Sequence, residues 1–275
     1  MHGLVGYREV IECIQWGLIS LGSEATAAVN QIADNAVNIV FGFQMLQELD
    51  IESLPSNTIL YNLEQISNLP LERLKPVFRA AARRLHIWDY SQHNLQKWEE
   101  LRPVYPVAPV PIGWAPPLAR ITSAPEQDID VLFYGGPSDL RLTVFSALCH
   151  RGIRSVFVCG LYGASRDGLI ARSKLVLNLN MYSHSKIFEI VRVSYLLANS
   201  KAVIADLQPE TFVEPDIREA VAFAPPSEIA NLCGELLKSE SSRTDLAKRG
   251  EAIIRKRDIR EILQRAMLIP KTSVG

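Results

Sequence analysis

The residues best suited to binding chemistry lie in the second half of the chain, around a glycine pair and a run of charged side chains. Gly135 and Gly136 directly follow an apolar segment, and a glycine pair lets the backbone approach a ligand closely. Further along, Lys186, Glu189 and Arg192 fall at the start of a helical pattern. Because cations and the N–H groups of a helix N-terminus both bind phosphate, this set predicts a site for a phosphorylated ligand.

Two of these charged residues also have a purely structural explanation. The helix dipole favours a carboxylate such as Glu189 near a helix N-terminus. Arg192, three residues later, shares a helix face with Glu189 and would form an ordinary ion pair with it. Both explanations stay open at the level of the sequence.

Several standard nucleotide and metal motifs are missing from the sequence. It contains neither the Walker pattern Gly-x-x-x-x-Gly-Lys-Ser/Thr nor the dinucleotide pattern Gly-x-Gly-x-x-Gly. Asp128 and Asp130 form an Asp-x-Asp pair, but the pair precedes its predicted strand. Ligands of open α/β sheets bind at the opposite, carboxyl ends of the strands, so we expect no catalytic metal.

Composition restricts the class of protein. The chain has 275 residues, 48% of them hydrophobic, and a formal net charge of −1. This length supports one large or two small cores, and near-neutrality without a basic stripe predicts no nucleic-acid partner. The cysteines are widely spaced and mostly in apolar segments, which predicts buried thiols in a reducing compartment. They are Cys13, Cys149, Cys159 and Cys233.

No apolar run in the sequence approaches the length that a membrane span needs, and the start lacks the pattern of a secretory leader. These features predict a soluble cytoplasmic protein. A peripheral membrane contact stays open, because a modest amphipathic patch is enough for it.

Short β-branched segments alternate with helical patterns along the chain, which predicts parallel sheets covered by helices. The predicted strands cover 37–41, 58–61, 84–90, 130–134, 155–159, 175–180 and 202–204. The predicted helices cover 7–21, 91–98, 139–150, 165–171, 187–198 and most of 227–267.

A proline-rich segment divides the chain. Six prolines between Arg102 and Arg120 exclude a helix or a central strand there. Within this segment, residues 110–114 would form either a rigid linker or part of a cleft wall. We therefore predict a first domain at residues 1–120, with the linker at its end, and a second domain at 121–275.

Several motifs, taken in order, resemble the C-terminal half of GT-B glycosyltransferases. They are the strand and Gly-Gly turn with its arginine at 130–141, Asn-Leu-Asn at 178–180, Phe-Glu-x-x-Arg at 188–192 and Val-Ile-Ala-Asp at 203–206. Residues 7–9, 60–65 and 88–91 resemble parts of the N-terminal domain, so the resemblance covers most of the chain. The group is the bacterial family 1/4-like one that includes spore-maturation-type relatives. The resemblance implies an α/β fold with two Rossmann-like domains facing across a cleft, followed by C-terminal helices.

The same resemblance implies a glycosyltransferase of the hexosyltransferase type, active in polysaccharide biosynthesis, with a nucleotide-sugar donor as co-substrate and no other cofactor. Glu189 would accept hydrogen bonds from the ribose, while Lys186 and Arg192 would face the diphosphate or the sugar. Tyr162 would either stack on the base or pack as an ordinary tyrosine. The predicted donor-binding set is Gly135, Gly136, Arg141, Tyr162, Gly163, His184, Ser185, Lys186, Glu189 and Arg192.

The acceptor, a hydroxyl on a glycan or a lipid-linked glycan, would bind the first domain. A general base there needs a carboxylate or an imidazole near that hydroxyl. The candidates are Glu64, Asp89, His93 and Glu9, of which Glu64 directly follows a predicted strand. Asp89 would alternatively cap the next helix.

Two departures from the GT-B pattern leave other functions open. Leu197 stands eight residues after Glu189, where the Glu-x7-Glu pattern has its second glutamate. Only Met1–Val5 precede Gly6, so the first strand of the usual pattern is expected to be short or missing. The alternatives are a nucleotide-sugar epimerase and a non-catalytic binding or scaffold protein with the same fold.

Overall fold

The computed structural model describes residues 6–181 and 186–268, which form two compact units, each built on a parallel sheet. Unit one consists of the described residues of Met1–Gly113 and Asp258–Gly275, and unit two is Trp114–Arg257. The two parallel sheets with helices between their strands confirm the predicted α/β class.

Unit one has a four-stranded sheet in the order β1-β2-β3-β4. Its core is aromatic, with Phe43 against Phe78 and Phe78 against Trp98. The strands are β1 (Ile39–Phe41), β2 (Ile59–Asn62), β3 (His86–Asp89) and β4 (Ala108–Pro109), and the helices are α1 (Arg8–Ser20), α2 (Glu48–Ser53), α3 (Pro76–Arg84) and α4 (Gln92–Leu101). The strand β4 lies in the proline-rich segment at the sheet edge, where a missing proline N–H is tolerated.

Unit two has a five-stranded sheet in the order β6-β5-β7-β8-β9. The strands are β5 (Ile129–Tyr134), β6 (Ser155–Val158), β7 (Ser173–Asn178), β8 (Ala202–Asp206) and β9 (Ala222–Ala224). The helices are α5 (Asp139–His150), α6 (Gly163–Arg172), α7 (Ile190–Ala198), α8 (Pro215–Ala220), α9 (Ile229–Lys238) and α10 (Glu240–Arg255). The seven predicted strands are present with shifted ends, whereas the two-residue β4 and three-residue β9 escaped prediction.

The C-terminal segment corrects two predictions. It forms α9, α10 and a further helix, α11 (Ile259–Met267), because Ser239 and Asp258 cap new helix starts with their side chains. The helix α11 belongs to unit one, where it packs on α1, and not to a domain of residues 121–275. The contact is close because Gly17 has no side chain: a Cβ there would lie 2.7 Å from Cδ1 of Leu263.

The cysteines are free, as expected, but they are not all buried. Cys13 and Cys233 lie in the interior, and burial raises the pKa of the Cys233 thiol to about 12. Cys149 and Cys159 are exposed, which corrects the prediction for those two. Within residues 6–181 and 186–268, no helix has the length and apolar character that a membrane span requires.

A buried lysine predicts an unusual dependence of stability on pH. Lys201 precedes β8, is 3% exposed, and donates from Nζ to Oγ of Ser123 at 3.0 Å. Burial lowers the pKa of its ammonium from 10.5 to about 8, so the folded state disfavours the charged form. The resulting cost is complete below pH 8, shrinks between pH 8 and 10.5, and is absent above.

We therefore expect Lys201→Met to raise the free energy of unfolding at pH 7 by roughly 1–2 kcal/mol. Urea unfolding at a series of pH values measures this, and the difference from wild type should shrink as the pH rises past 8. Lys174→Met is the matched control, since Lys174 forms an ion pair with Asp130 at 2.7 Å and should not gain stability. A variant at 201 that is less stable than wild type at pH 7 would contradict the expectation.

Candidate functional site

The glycine turn of unit two lies at the carboxyl end of β5. Gly135 has a φ of 153°, which side-chain-bearing residues rarely adopt, and its N–H donates to the carbonyl of Val158 at the end of β6. A Cβ at Gly135 would lie 3.3 Å from Nη2 of Arg192 and 3.5 Å from Nη1 of Arg141. The tertiary structure thus brings the glycine turn and two predicted cationic residues together.

Arg192 is held by aromatic rings and an amide. From the first turn of α7, its guanidinium lies over the rings of Phe133 and Tyr134, at 5.8 and 5.4 Å from their centroids. Its Nη1 donates to Oδ1 of Asn178 at 3.4 Å. Among residues 6–181 and 186–268, no carboxylate forms an ion pair with it. Its positive charge is therefore available to an anion at the turn.

Arg141 has a different role from the one predicted. Its side chain is buried, and the guanidinium donates to the carbonyl of Leu179 from Nε and Nη2 and to that of Gly136 from Nη1. These bonds join the loop after β5 to the loop after β7. The guanidinium therefore holds the two loops in place, and its charge adds to the positive potential beneath the turn.

The two glycines of the turn are expected to respond differently to substitution. Gly135→Ala forces a Cβ into a positive-φ position and against Arg192, so we expect a loss of about 1–2 kcal/mol of stability. Gly136→Ala meets only the Met181 side chain at an ordinary 3.5 Å, so it serves as the matched control. Urea unfolding measures both, and equal stabilities would show that the turn does not require glycine at 135.

The start of α7 differs from the prediction. The helix begins at Ile190 rather than 187, because residues 186–188 are extended and pair with Phe212. The N–H of Phe212 donates to the carbonyl of Lys186 at 2.7 Å, and that of Phe188 donates to the carbonyl of Phe212. Glu189 is consequently the residue that precedes the helix. The Nζ of Lys186 lies 3.8 Å from a carboxylate oxygen of the exposed Glu210.

The other predicted donor residues lie at the next strand end or outside the described residues. Tyr162 precedes α6 with an exposed side chain, and Gly163 has a φ of 59°, so this loop after β6 is open to solvent. His184 and Ser185 fall in 182–185, outside the described residues.

Two asparagines at the end of β7 were quoted in the Asn-Leu-Asn motif but were not predicted as site residues. Asn178 and Asn180 are both buried. The backbone N–H and the Nδ2 of Asn180 donate to the carboxylate of Asp206, at 2.7 and 3.1 Å. Burial raises the pKa of Asp206, and the bonds from Asn180 offset part of that rise. Two buried asparagines in one strand end were the sequence signal that could have identified them.

A second polar cluster supports the end of β5. The guanidinium of Arg166 lies 4.6 Å from the ring centroid of Tyr195 and 5.9 Å from that of Tyr134. The hydroxyl of Tyr195 donates to Asp167, and burial raises the pKa of Tyr195 to about 12. The ring of Tyr134 therefore interacts with two arginines, Arg166 and Arg192. This cluster was not predicted, because its members come from separate elements.

In unit one, Glu64 lies in a polar cluster at the carboxyl end of β2. Its Oε1 accepts hydrogen bonds from the Tyr7 hydroxyl at 2.5 Å and from Nε2 of Gln44 at 2.9 Å. Its backbone carbonyl accepts from Nδ2 of both Asn62 and Asn94. The half-buried carboxylate is thus fixed in orientation, as a general base requires.

Asp89 has a structural role that the prediction missed. Its carboxylate is fully buried and accepts hydrogen bonds from the Ser91 N–H and from side-chain N–H groups of Asn62, Asn94 and Trp98. Burial raises the pKa of Asp89 to about 7, against the lowering effect of these bonds. A buried carboxylate in this position cannot contact an acceptor hydroxyl.

The remaining candidates for a base differ in exposure. His93 is exposed in the first turn of α4, and its N–H donates to Oγ of Ser91, the residue that caps the helix. Glu9 is buried in α1. Of the four candidates, Glu64 and His93 can meet a solvent-borne substrate.

The Asp-x-Asp pair is neutralised by cations at the amino end of β5. Asp128 pairs with Arg172, and Asp130 pairs with Arg154 and Lys174. These partners hold the pKa of Asp130 well below its ordinary range. Within the part of the chain that the structure describes, no three metal-ligating side chains are grouped.

Comparisons with known proteins give one relative by sequence and many by structure. No family model matches the chain. The uncharacterized protein R358 of Acanthamoeba polyphaga mimivirus is 22% identical over 192 residues, which span 69% of this chain and 66% of the viral protein. That share is just under two thirds of the relative's length.

The solved structures share the fold at low identity. HepE of Anabaena, solved in complex with UDP-glucose, superposes with a TM-score of 0.58 at 12% identity, covering 84% of this chain and 77% of HepE. TarM superposes with a TM-score of 0.54 at 11% identity, covering 76% of this chain and 49% of TarM. TarM of S. aureus has also been solved with UDP and alpha-GlcNAc-glycerol bound. The chain thus spans about half of TarM.

Proposed function

The chain has the GT-B fold of glycosyltransferases, and on that premise we propose that it transfers a sugar from a nucleotide-sugar donor to a hydroxyl acceptor. The observation that carries this proposal is the Gly135 turn with the guanidinium of Arg192 beside it. A bare backbone turn next to a cation without a carboxylate partner suits a diphosphate. Binding the donor there places a positive charge where negative charge develops on the leaving diphosphate.

Unit two would hold the donor. Glu189, directly before α7, is the proposed partner of the ribose hydroxyls, and the exposed Tyr162 is the proposed stacking surface for the base. The UDP and UDP-glucose bound to HepE make a uridine nucleotide the first donor to test here. A hexose is the proposed sugar.

Unit one would hold the acceptor, which we take to be a glycan or a lipid-linked glycan of a polysaccharide pathway. Glu64 is the proposed general base, since two donors fix the orientation of its carboxylate. The four free cysteines agree with a reducing, cytoplasmic location for this chemistry.

A thermal-shift screen with UDP, GDP, ADP, dTDP and CMP tests the donor site. A nucleotide that binds tightly should stabilise the chain by several kcal/mol at saturating concentration. Glu189→Ala should abolish the shift, whereas Glu210→Ala, a matched change at an exposed glutamate, should preserve it. Release of free nucleotide from the matching nucleotide sugar, with and without glycan acceptors, then tests transfer. No shift with any nucleotide would overturn the proposal.

A non-catalytic binding protein is the second candidate, and the burial of Asp89 favours it, since one predicted base is committed to structure. A nucleotide shift without release of nucleotide for any acceptor would support this second candidate. Donor consumption without transfer would instead support an epimerase-like or hydrolytic activity.

A further inference from the structure

Two buried amide atoms at the end of β7 have no hydrogen-bond partner. Asn178, the last residue of the strand, is fully buried, and its Nδ2 is unpaired. Asn180, two residues later, is also buried, and its Oδ1 is unpaired. Because an unsatisfied buried polar atom is destabilising, each of these atoms calls for a partner outside the protein chain.

The orientation of both amides follows from their paired atoms. Oδ1 of Asn178 accepts from the guanidinium of Arg192, so the reversed amide would set N–H against N–H. Nδ2 of Asn180 donates to the carboxylate of Asp206, which only the N–H side can do. The unpaired atoms are therefore one donor, on Asn178, and one acceptor, on Asn180.

The unpaired donor lies beside the glycine turn. Leu132 of β5 pairs with Val176 of β7, so Tyr134 and Asn178 stand two residues further along adjacent strands. Arg192 connects them, with Nη1 at Asn178 and Nη2 beside Gly135. An N–H donor next to a guanidinium attracts an oxyanion and repels a cation.

We infer that Asn178 is a ligand-binding residue of this site, and that its Nδ2 donates to an anionic oxygen of a bound diphosphate. Oδ1 of Asn180 then accepts a hydrogen bond from a hydroxyl of the attached sugar. A nucleotide sugar carries both groups on neighbouring atoms. The inference rests on the proposed function and extends it to two residues of β7 and its following loop.

Ligand binding requires a covering side chain to move, because neither amide atom is accessible. Met181 lies against the turn, with Cε 3.5 Å from the position of a Cβ on Gly136 and Sδ 3.1 Å from Nη1 of Arg141. An unbranched thioether changes rotamer at little cost. Its displacement would open the space next to the turn.

Isothermal titration of the full chain with inorganic pyrophosphate, UDP and UDP-glucose tests the inference, together with urea unfolding without ligand. Asn178→Leu keeps the shape of the side chain and removes the donor. It should raise the Kd for pyrophosphate and UDP roughly 10- to 100-fold while the urea midpoint stays equal or rises. Asn178→Ser, which retains a hydroxyl donor, should lose less affinity.

Asn199→Leu is the matched control. This buried asparagine makes four hydrogen bonds, to Arg120, Ile121, Leu118 and Tyr195, so its loss should lower the urea midpoint without changing the Kd of the folded protein. A drop in midpoint of the same size in Asn178→Leu would assign Asn178 a structural role and overturn the inference.

The titrations separate failure of the inference from failure of the proposed function. Unchanged affinity in Asn178→Leu overturns the inference and leaves nucleotide binding intact. A wild type that binds pyrophosphate but no nucleotide, with the loss seen in Asn178→Leu, overturns the proposed function and supports an anion site at Asn178. A wild type that binds none of the three ligands overturns both.

Discussion

Replacing Arg192 by methionine is expected to lower the affinity for a nucleoside diphosphate by about 100-fold or more, since a charge-assisted bond to phosphate contributes about 1.5–3 kcal/mol and the charge also acts at longer range. Methionine keeps much of the apolar contact with Phe133 and Tyr134 and removes only the charge and its donors. Titration with the nucleotide that gives the largest thermal shift measures the effect.

Arg154→Met is the matched control for this variant. Arg154 lies at the amino end of β5, is largely exposed and pairs with Asp130, so its loss removes one positive charge far from the turn. We expect wild-type affinity in this control. If Arg192→Met bound the nucleotide as tightly as Arg154→Met, the turn beside Arg192 would not be the diphosphate site.

Replacing Asp89 by leucine is expected to destabilise unit one by about 3–5 kcal/mol, because an isosteric apolar side chain leaves several buried N–H donors without an acceptor. Asn62 and Asn94 also hold the backbone of Glu64, so the loop that carries the proposed base should lose its order. Chemical unfolding followed by the fluorescence of Trp98, which donates to Asp89, measures this effect.

Two further variants keep this prediction testable if Asp89→Leu does not fold. Trp98→Phe removes a single donor and should cost about 1–2 kcal/mol, which is less than the aspartate variant costs. Asp128→Leu, at an exposed ion pair with Arg172, should leave the unfolding midpoint unchanged. Equal midpoints for Asp89→Leu and Asp128→Leu would contradict the role assigned to the buried carboxylate.

Much of the fold follows from local patterns in the sequence. The alternation of β-branched and helical segments predicted the strands of both sheets, and the proline-rich segment marked the passage from one unit to the other. Gly135 was predictable as a turn because a glycine pair follows an apolar strand. These features depend on neighbouring residues, which a single sequence displays directly.

Tertiary contacts decided the rest, and they join residues far apart in the chain. The sequence shows Arg141 and Arg192 as two cations, but only the fold commits one to the carbonyls of two loops and leaves the other beside the turn. Asp89 looked like a base or a cap until its N–H donors from two other elements and its own loop were visible.

The same reason explains the shifted helix start and the placement of the last helix. Pairing with Phe212 holds residues 186–188 extended, and the small side of Gly17 accepts α11 against α1. Local sequence determined which elements form, because backbone propensity and apolar periodicity act over a few residues. The tertiary structure determined which polar groups remain for a ligand, because that depends on the partners that distant segments supply.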